Sequence, residues 1–186
     1  MTHKYTERCI RKRRLYKGRA IDFCVDTVAL SSGLQTQREY LSHPGAVAVV
    51  PLLDPVKHPD PRILLVRQYR YPVQNLTLEI PAGKLDEHER PGSCVRRELE
   101  EETGYKARRI TPMISYWPTP AFATEILHIY LAQGLVGGRY NPDEDELIHP
   151  EILRLRPLLQ MIRAGRIRDS KTIIGLLYFV QWRRRT

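Results

Sequence analysis

The sequence is poor in cysteine and in long apolar runs. Its three cysteines, Cys9, Cys24 and Cys94, form no CxxC pair and cannot all be paired within one chain. This argues against a disulfide framework and a zinc site, and it favours a reducing, cytoplasmic setting. No segment reaches the ~20 apolar residues of a membrane span, and the first residues lack the apolar core of a signal peptide. A cytoplasmic protein with no membrane association is therefore expected.

Acidic residues are outnumbered by basic ones, which gives a formal net charge of +9. Much of the excess lies in two basic patches, at residues 11–14 and 183–185. Neither patch is interleaved with aromatic residues in an RNA-binding pattern, so no specific nucleic acid partner is expected. A solvated strand end and a frayed tail explain these patches most simply, and general attraction of anionic substrates is the alternative.

The first 42 residues are predicted to form a small antiparallel sheet, because short β-type runs alternate with turn signals. The strands of this sheet are predicted at 9–16, 20–30 and 34–41. So thin a sheet would be marginal alone, and a second subunit is the natural body for it to pack on. The sequence therefore predicts an N-terminal β-region at 1–42 that forms a homodimer, and a main domain at 43–186.

The main domain mixes apolar β-type runs with helical patterns, which is typical of an α/β fold with a mixed sheet. Strands are predicted at 46–53, 62–70, 76–80, 107–115, 125–132 and 147–155. Helices are predicted from about 91 to 103, from 157 to 164 and from 170 to 183, the last after Asp169 or Ser170 as its cap. Within the last helix, Ile173, Leu177 and Val180 are expected to face the core.

The segment from Gly83 to Tyr105 carries the clearest chemical signal. Glu98, Glu101 and Glu102 are three and four positions apart, so a helix places them on one face. Hard divalent cations such as Mg²⁺ bind carboxylate oxygens together with substrate phosphates. The spacing therefore predicts a metal site for a phosphorylated substrate, although a bare glutamate run would more simply be a solvated helix face.

The glutamates belong to a longer pattern of specified residues: Gly83, Glu89, Arg97, Glu98, Glu101, Glu102 and Gly104. Seven such letters match by chance at roughly one in 10⁸ positions. The pattern resembles the signature of the Nudix hydrolases. This resemblance implies an α/β/α sandwich and a bound Mg²⁺, with Mn²⁺ as the alternative. It also implies metal ligation by Glu98, Glu101, Glu102 and the carbonyl of Ala82, and ion pairing by Arg97 that orients the glutamates.

Flanking motifs resemble the ADP-ribose pyrophosphatase branch of that superfamily. They are the Val66–Arg70 and Leu78–Leu85 segments, Arg38-Glu39 ahead of His43, and a proline about fifteen residues beyond Tyr105. The resemblance implies substrate contacts at Arg70, Glu79, Arg38 and Pro120. The usual Ser-Pro-Gly reads Thr119-Pro120-Ala121 here, which leaves the sugar nucleotide open. The general base is expected on the acidic loop at 143–146, at Glu146 or, as the second candidate, Glu144.

These features predict metal-dependent hydrolysis of the diphosphate of ADP-ribose, giving AMP and ribose 5-phosphate, or of a related nucleoside diphosphate sugar. GDP-mannose or another sugar nucleotide is the first alternative, because the flanking motifs overlap between these activities. A Nudix module that binds a nucleotide or a nucleic acid without catalysis is the second. It is disfavoured because every carboxylate of the signature is present.

Overall fold

The computed structural model describes residues 5–141 and 147–184. The chain forms two compact units. The first contains the described residues up to Gly45 together with Trp117–Ile126, and the second contains Ala46–Tyr116 and the described residues from Leu127 onward. The predicted division into 1–42 and 43–186 did not anticipate the segment 117–126. Within the described ranges, no helix is long and apolar enough to cross a membrane.

The first unit is a four-stranded antiparallel sheet. Its strands are β1 (Glu7–Arg11), β2 (Arg14–Lys17), β3 (Asp22–Leu30) and β4 (Gln35–Ser42). β1 and β2 pair with successive parts of β3, and β4 pairs along its full length. The prediction of a single strand at 9–16 is wrong, because this stretch forms two separate strands, β1 and β2. There the Arg13 N–H donates to the Asp26 carboxylate at 3.1 Å instead of joining a regular ladder.

The second unit contains two sheets and three helices. The central sheet has the order β8-β5-β10-β9, in which β5 and β10 are parallel, and the other sheet is antiparallel with the order β11-β6-β7. The central strands are β5 (Ala46–Pro51), β8 (Ala82–Lys84), β9 (Tyr105–Tyr116) and β10 (Leu127–Gly137). The other strands are β6 (Arg62–Arg70), β7 (Asn75–Glu79) and β11 (Ile148–Arg154). The helices are α1 (Pro91–Thr103), α2 (Leu155–Arg163) and α3 (Ser170–Trp182).

Strand β5 is buried on both faces, which explains its continuous apolar sequence. Alternate side chains point to opposite sides of a strand, so Val47 and Val49 pack with Leu99 of α1 in one cluster. The other alternating set, which includes Val50, packs with α2 and α3 through residues such as Phe179. The central sheet therefore lies between α1 and the two C-terminal helices, and the predicted α/β/α fold is confirmed.

The helix ends match the sequence in part. α1 begins at Pro91 and ends at Gly104, which adopts the left-handed conformation with φ of 72°. α3 is capped by Asp169, whose side chain accepts the Thr172 N–H. The predicted core stripe of α3 is wrong at Leu177, which is 46% exposed. The helix is rotated so that Thr172, Gly175, Leu176 and Phe179 are the buried residues.

Candidate functional site

Arg97 forms hydrogen bonds to three carboxylates of the candidate site. Its Nε and Nη2 donate to the Glu89 carboxylate at 3.1 and 2.9 Å. Its Nη1 donates to Glu98 at 2.8 Å and to Glu101 at 3.0 Å. The Glu89 hydrogen bond raises the pKa of Arg97, and the same bond lowers the pKa of Glu89 to about 2. One guanidinium therefore holds three carboxylates in place, since its planar fork offers five donors.

Glu102 lies deeper than Glu101 and is tied to the backbone. It is 2% exposed, and its carboxylate accepts the Ala82 N–H at 3.0 Å. On the other side of the strand, Val49 N–H donates to the Pro81 carbonyl at 2.9 Å, so the antiparallel ladder places Ala82 at a non-hydrogen-bonded position opposite Ala48. The carbonyl of Ala82 therefore points away from β5, toward the same edge as its N–H and Glu102.

Gly83 allows the carboxylate of Glu98 to approach the backbone of β8 closely. A Cβ at this position would lie 2.0 Å from the Glu98 carboxylate carbon, far inside van der Waals contact. The backbone of β8 can therefore come against Glu98 only because residue 83 has no side chain. Glu98 and Glu102 of α1 thus lie against consecutive residues of β8, Gly83 and Ala82, at the edge of the central sheet.

The donor set fits a hard divalent cation, because it consists of carboxylates and a backbone carbonyl. Within residues 5–141 and 147–184, no three His, Cys, Asp or Glu side chains converge closely enough to hold a metal as they stand. In this structure the guanidinium of Arg97 pairs with Glu98 and Glu101. The residues that would hold the ion are Glu98, Glu101, Glu102 and Ala82, with Arg97 setting the directions of two of them.

Arg70 and Glu79 form the second charged group of the site. Arg70 of β6 donates to both oxygens of Glu79 of β7, at 2.9 and 2.8 Å. Glu79 is 1% exposed and also accepts from Thr77 and Lys171. Burial would raise the pKa of Glu79, but the Arg70 hydrogen bond and the Lys171 charge outweigh it and lower the pKa to about 2. Glu79 is thus a buried anion between two cations. In the Arg70–Glu79 pair, it is Arg70 that reaches solvent.

Replacing Glu79 by Gln should destabilise the fold in a pH-dependent way. At neutral pH the loss is expected to be about 3–5 kcal/mol, because Arg70 loses its buried anion and Lys171 keeps only Asp169. The folded pKa lies below the usual value of 4.5, so the wild-type contribution is present above pH 4.5 and is lost as the pH falls through about 2.

Urea unfolding of wild type and Glu79→Gln between pH 7 and pH 2 measures this effect. The difference in unfolding free energy should shrink over the acid range. A difference that stays constant from pH 7 to pH 2 would show that the charge of Glu79 contributes nothing to stability.

A cleft of about 870 Å³ opens beside the Arg70–Glu79 pair. One wall is the β6–β7 turn with Pro72, Val73 and Leu76, and the other is the loop between α2 and α3 with Arg166 and Arg168. The hydrogen bond to Glu79 is the main cause of the raised pKa of Arg70, and the charges of Asp169 and Glu102 add to it. The cleft is lined by the cationic side chains of Arg70, Arg166, Arg168 and Lys171, which suit an anionic ligand.

Arg38 and Pro120 belong to the first unit, and Arg38 forms a bidentate pair with Glu7 at 3.0 and 2.6 Å. Glu144 and Glu146, the candidate bases, lie outside the described residues. Lys171 and Thr172 contact the site's strands, and sequence reasoning missed both. The only signal near them was the predicted cap at Asp169, which shows where a helix begins but not what it packs against.

The chain is similar to known proteins in sequence and in fold. The family described as NUDIX domain matches residues 42–173. An ADP-ribose pyrophosphatase of Bacillus subtilis is 37% identical over 92% of this chain and 91% of its own length. A methanol dehydrogenase activator of Bacillus methanolicus is 41% identical over 94% and 92%.

Two further matches extend the comparison. A GDP-mannose pyrophosphatase of Yersinia enterocolitica is 35% identical over 64% of this chain and 67% of its own length. A crystal structure of an ADP compounds hydrolase superposes with a TM-score of 0.82 over 96% of this chain and 95% of that one, at 19% identity. The last match supports the fold alone.

Proposed function

The chain belongs to the Nudix family and is a Nudix pyrophosphohydrolase, and we propose that it hydrolyses the diphosphate bond of ADP-ribose in a Mg²⁺-dependent reaction. Water would attack one phosphorus, the bridging P–O bond would break, and AMP and ribose 5-phosphate would leave. The observation that carries the proposal is that the carboxylates of Glu98 and Glu102 lie against consecutive residues of β8, Gly83 and Ala82. Similarity to the Bacillus subtilis ADP-ribose pyrophosphatase supports the substrate.

The residues divide the chemistry between them. When bound, a divalent ion screens the diphosphate charge and acidifies water. Glu98, Glu101 and Glu102 would hold that ion, and Arg97 keeps Glu98 and Glu101 directed toward one side of α1. Glu146, with Glu144 as the second candidate, would accept the proton of the attacking water.

Arg70 is the proposed phosphate contact. Its guanidinium is held rigidly by Glu79, but its side chain is 41% exposed and faces the cleft. A preorganised guanidinium loses little entropy when it binds a phosphate, and it suits bidentate recognition. Glu79 also lines the cleft but is only 1% exposed, so we propose that it contributes to substrate binding mainly by positioning Arg70. Arg38 and Pro120 remain proposed substrate contacts on the first unit.

A screen of sugar nucleotides with Mg²⁺ or Mn²⁺, with and without EDTA, tests the proposal. Chromatography should show AMP and ribose 5-phosphate from ADP-ribose, and EDTA should abolish their release. Preferred cleavage of GDP-mannose would keep the chemistry but reassign the substrate, as the 35% identical Yersinia protein allows. No hydrolysis of any sugar nucleotide would contradict the proposal and favour a nucleotide-binding or nucleic-acid-binding module.

A second candidate function comes from the 41% identical relative, which is named for activation of methanol dehydrogenase. Addition of the protein to a methanol dehydrogenase assay, with the rate measured with and without it, tests this role. A rate increase that persists in the Glu98→Gln variant would favour an activating role independent of hydrolysis.

The proposed assembly is a homodimer formed through the N-terminal strands. Every residue of β1 and β2 is exposed, including the apolar Ile10, Leu15 and Tyr16. Exposed apolar side chains on a thin sheet favour burial against a second copy. Light scattering on a sizing column should give twice the chain mass, and a stable, active monomer would refute the assembly.

A further inference from the structure

The segment Ile80–Ala82 is held by two helices that lie far apart in the sequence. Pro81 has no N–H, so this segment has only two backbone donors. Ile80 N–H donates to Thr172 Oγ1 of α3 at 2.9 Å, and Ala82 N–H donates to the Glu102 carboxylate of α1 at 3.0 Å. Each donor is therefore satisfied by a side chain from a different helix, and the segment joins α3 to the proposed metal ligands.

The α3 end of this connection is fixed by its own hydrogen bonds. Thr172 is fully buried, and its hydroxyl donates to the Asp169 carboxylate at 2.6 Å while it accepts from Ile80. Asp169 also accepts the Thr172 N–H at 2.9 Å, so the helix cap and the hydroxyl share one anion. The Thr172 hydroxyl is thus held in one orientation, which directs its lone pair at Ile80.

Close packing leaves the Ile80 segment little room to shift. A Cβ added to Gly175, one turn along α3, would lie 2.9 Å from the Ile80 side chain. Lys171, at the start of the same helix, contacts both Glu79 and Asp169. Glu79, which precedes Ile80 in the chain, is therefore held to α3 as well. The end of β7 is therefore bound to α3 at two consecutive residues, through a charge pair at Glu79 and a hydrogen bond at Ile80.

We propose that Thr172 is a positioning residue for the metal site of the proposed function. Through Ile80 it fixes the backbone that presents the Ala82 carbonyl and the Ala82 N–H, and through that N–H it sets where Glu102 lies. The first turn of α3 thereby acts on the site without touching substrate. Partners that orient metal ligands indirectly typically change metal affinity by about 10–100-fold when they are removed.

The test compares Thr172→Val, which keeps the shape but removes the hydroxyl, with Thr172→Ser, which retains it. Amide hydrogen exchange is followed by NMR in metal-free protein, with the buried Leu131 amide as the internal reference. In Thr172→Val, exchange at Ile80 and at Ala82 should accelerate by about 10-fold relative to Leu131, because the Ile80 donor has lost its acceptor. Thr172→Ser should stay near wild type.

A second readout uses Mn²⁺ alone, titrated against protein and followed by electron paramagnetic resonance. Thr172→Val should weaken Mn²⁺ binding by about 10-fold, and Thr172→Ser should restore it. Acceleration confined to Ile80, with Ala82 exchange and Mn²⁺ affinity unchanged, would overturn the inference and leave Thr172 a purely structural residue. If Thr172→Val does not fold, Asp169→Asn should give the same pattern at smaller amplitude, and its absence would also overturn the inference.

The inference rests on the proposed function, but the two can fail separately. Wild-type protein that does not bind Mn²⁺ would contradict the metal-dependent reaction. The exchange comparison at Ala82 needs neither metal nor substrate, so it would still decide whether Thr172 fixes this backbone.

Discussion

Replacing Glu98 or Glu102 by glutamine is expected to lower kcat/KM for the hydrolysed substrate by at least about 100-fold. Metal-ion catalysis contributes several kcal/mol of charge stabilisation, and each ~1.4 kcal/mol corresponds to a tenfold change in rate. Glutamine keeps the size of the side chain and one oxygen. At Glu102 it can still accept the Ala82 N–H, so the fold should be retained while the negative charge is lost.

Glu100 provides a matched control on the same helix. Its carboxylate accepts the Arg139 N–H and pairs with Lys106, away from Glu98 and Glu102. Glu100→Gln removes the same charge from the same helix and should keep kcat/KM within about twofold, since surface pairs contribute little. Steady-state kinetics at saturating Mg²⁺ and a Mn²⁺ titration measure all three variants. Equal activity of Glu98→Gln, Glu102→Gln and Glu100→Gln would show that the carboxylates of α1 do not hold the ion.

Gly83→Ala should reduce turnover by about 100-fold without unfolding the protein. The new Cβ would lie 2.0 Å from the Glu98 carboxylate carbon, so Glu98 must swing away from β8. A displacement of about 1 Å in a catalytic arrangement can reduce the rate by that factor. β8 is an edge strand, and the displaced group is the end of a long side chain, so the sheet itself can persist.

Gly92→Ala is the control for this substitution. Nothing lies within 4 Å of a Cβ at Gly92, and the residue is in the first turn of α1. This variant should keep wild-type turnover and gain about 0.4–1 kcal/mol of stability, because alanine has less conformational freedom to lose on folding. Thermal unfolding and kcat, measured for both variants, separate an effect on stability from an effect on turnover. Gly83→Ala with full activity would mean that Glu98 is free to move without consequence, and the proposed arrangement of ligands would be wrong.

The chemical groups of α1 could be predicted from the sequence because their arrangement depends on residues that are close together in the chain. Glu98, Glu101 and Glu102 share a helical face because residues three and four positions apart lie on the same side of a helix. Gly104 ends that helix because glycine tolerates a left-handed conformation. Arg97 meets Glu101 four residues later by helical spacing alone. The continuous apolar run of β5 likewise predicted a strand buried on both faces.

Errors arose where two or more elements compete for the same residues. The single strand at 9–16 is interrupted because the side chain of Asp26, on β3, takes the Arg13 N–H. The predicted core stripe of α3 included Leu177, yet the helix is rotated so that Gly175 and Thr172 face the sheets. Helical periodicity defines a set of possible faces, but only packing against Ile80 and its neighbours selects one of them.

The family, the helix that carries the carboxylates and the class of chemistry can all be read from the residues, because a 23-residue segment contains all the spacings involved. The tertiary structure alone decided what holds that segment in place. Thr172 and Lys171 reach Ile80 and Glu79 across 92 positions of chain, and the closeness of Gly83 to Glu98 depends on how β8 lies against α1. Such contacts follow from the packing of whole helices on sheets, and no local period in the sequence records them.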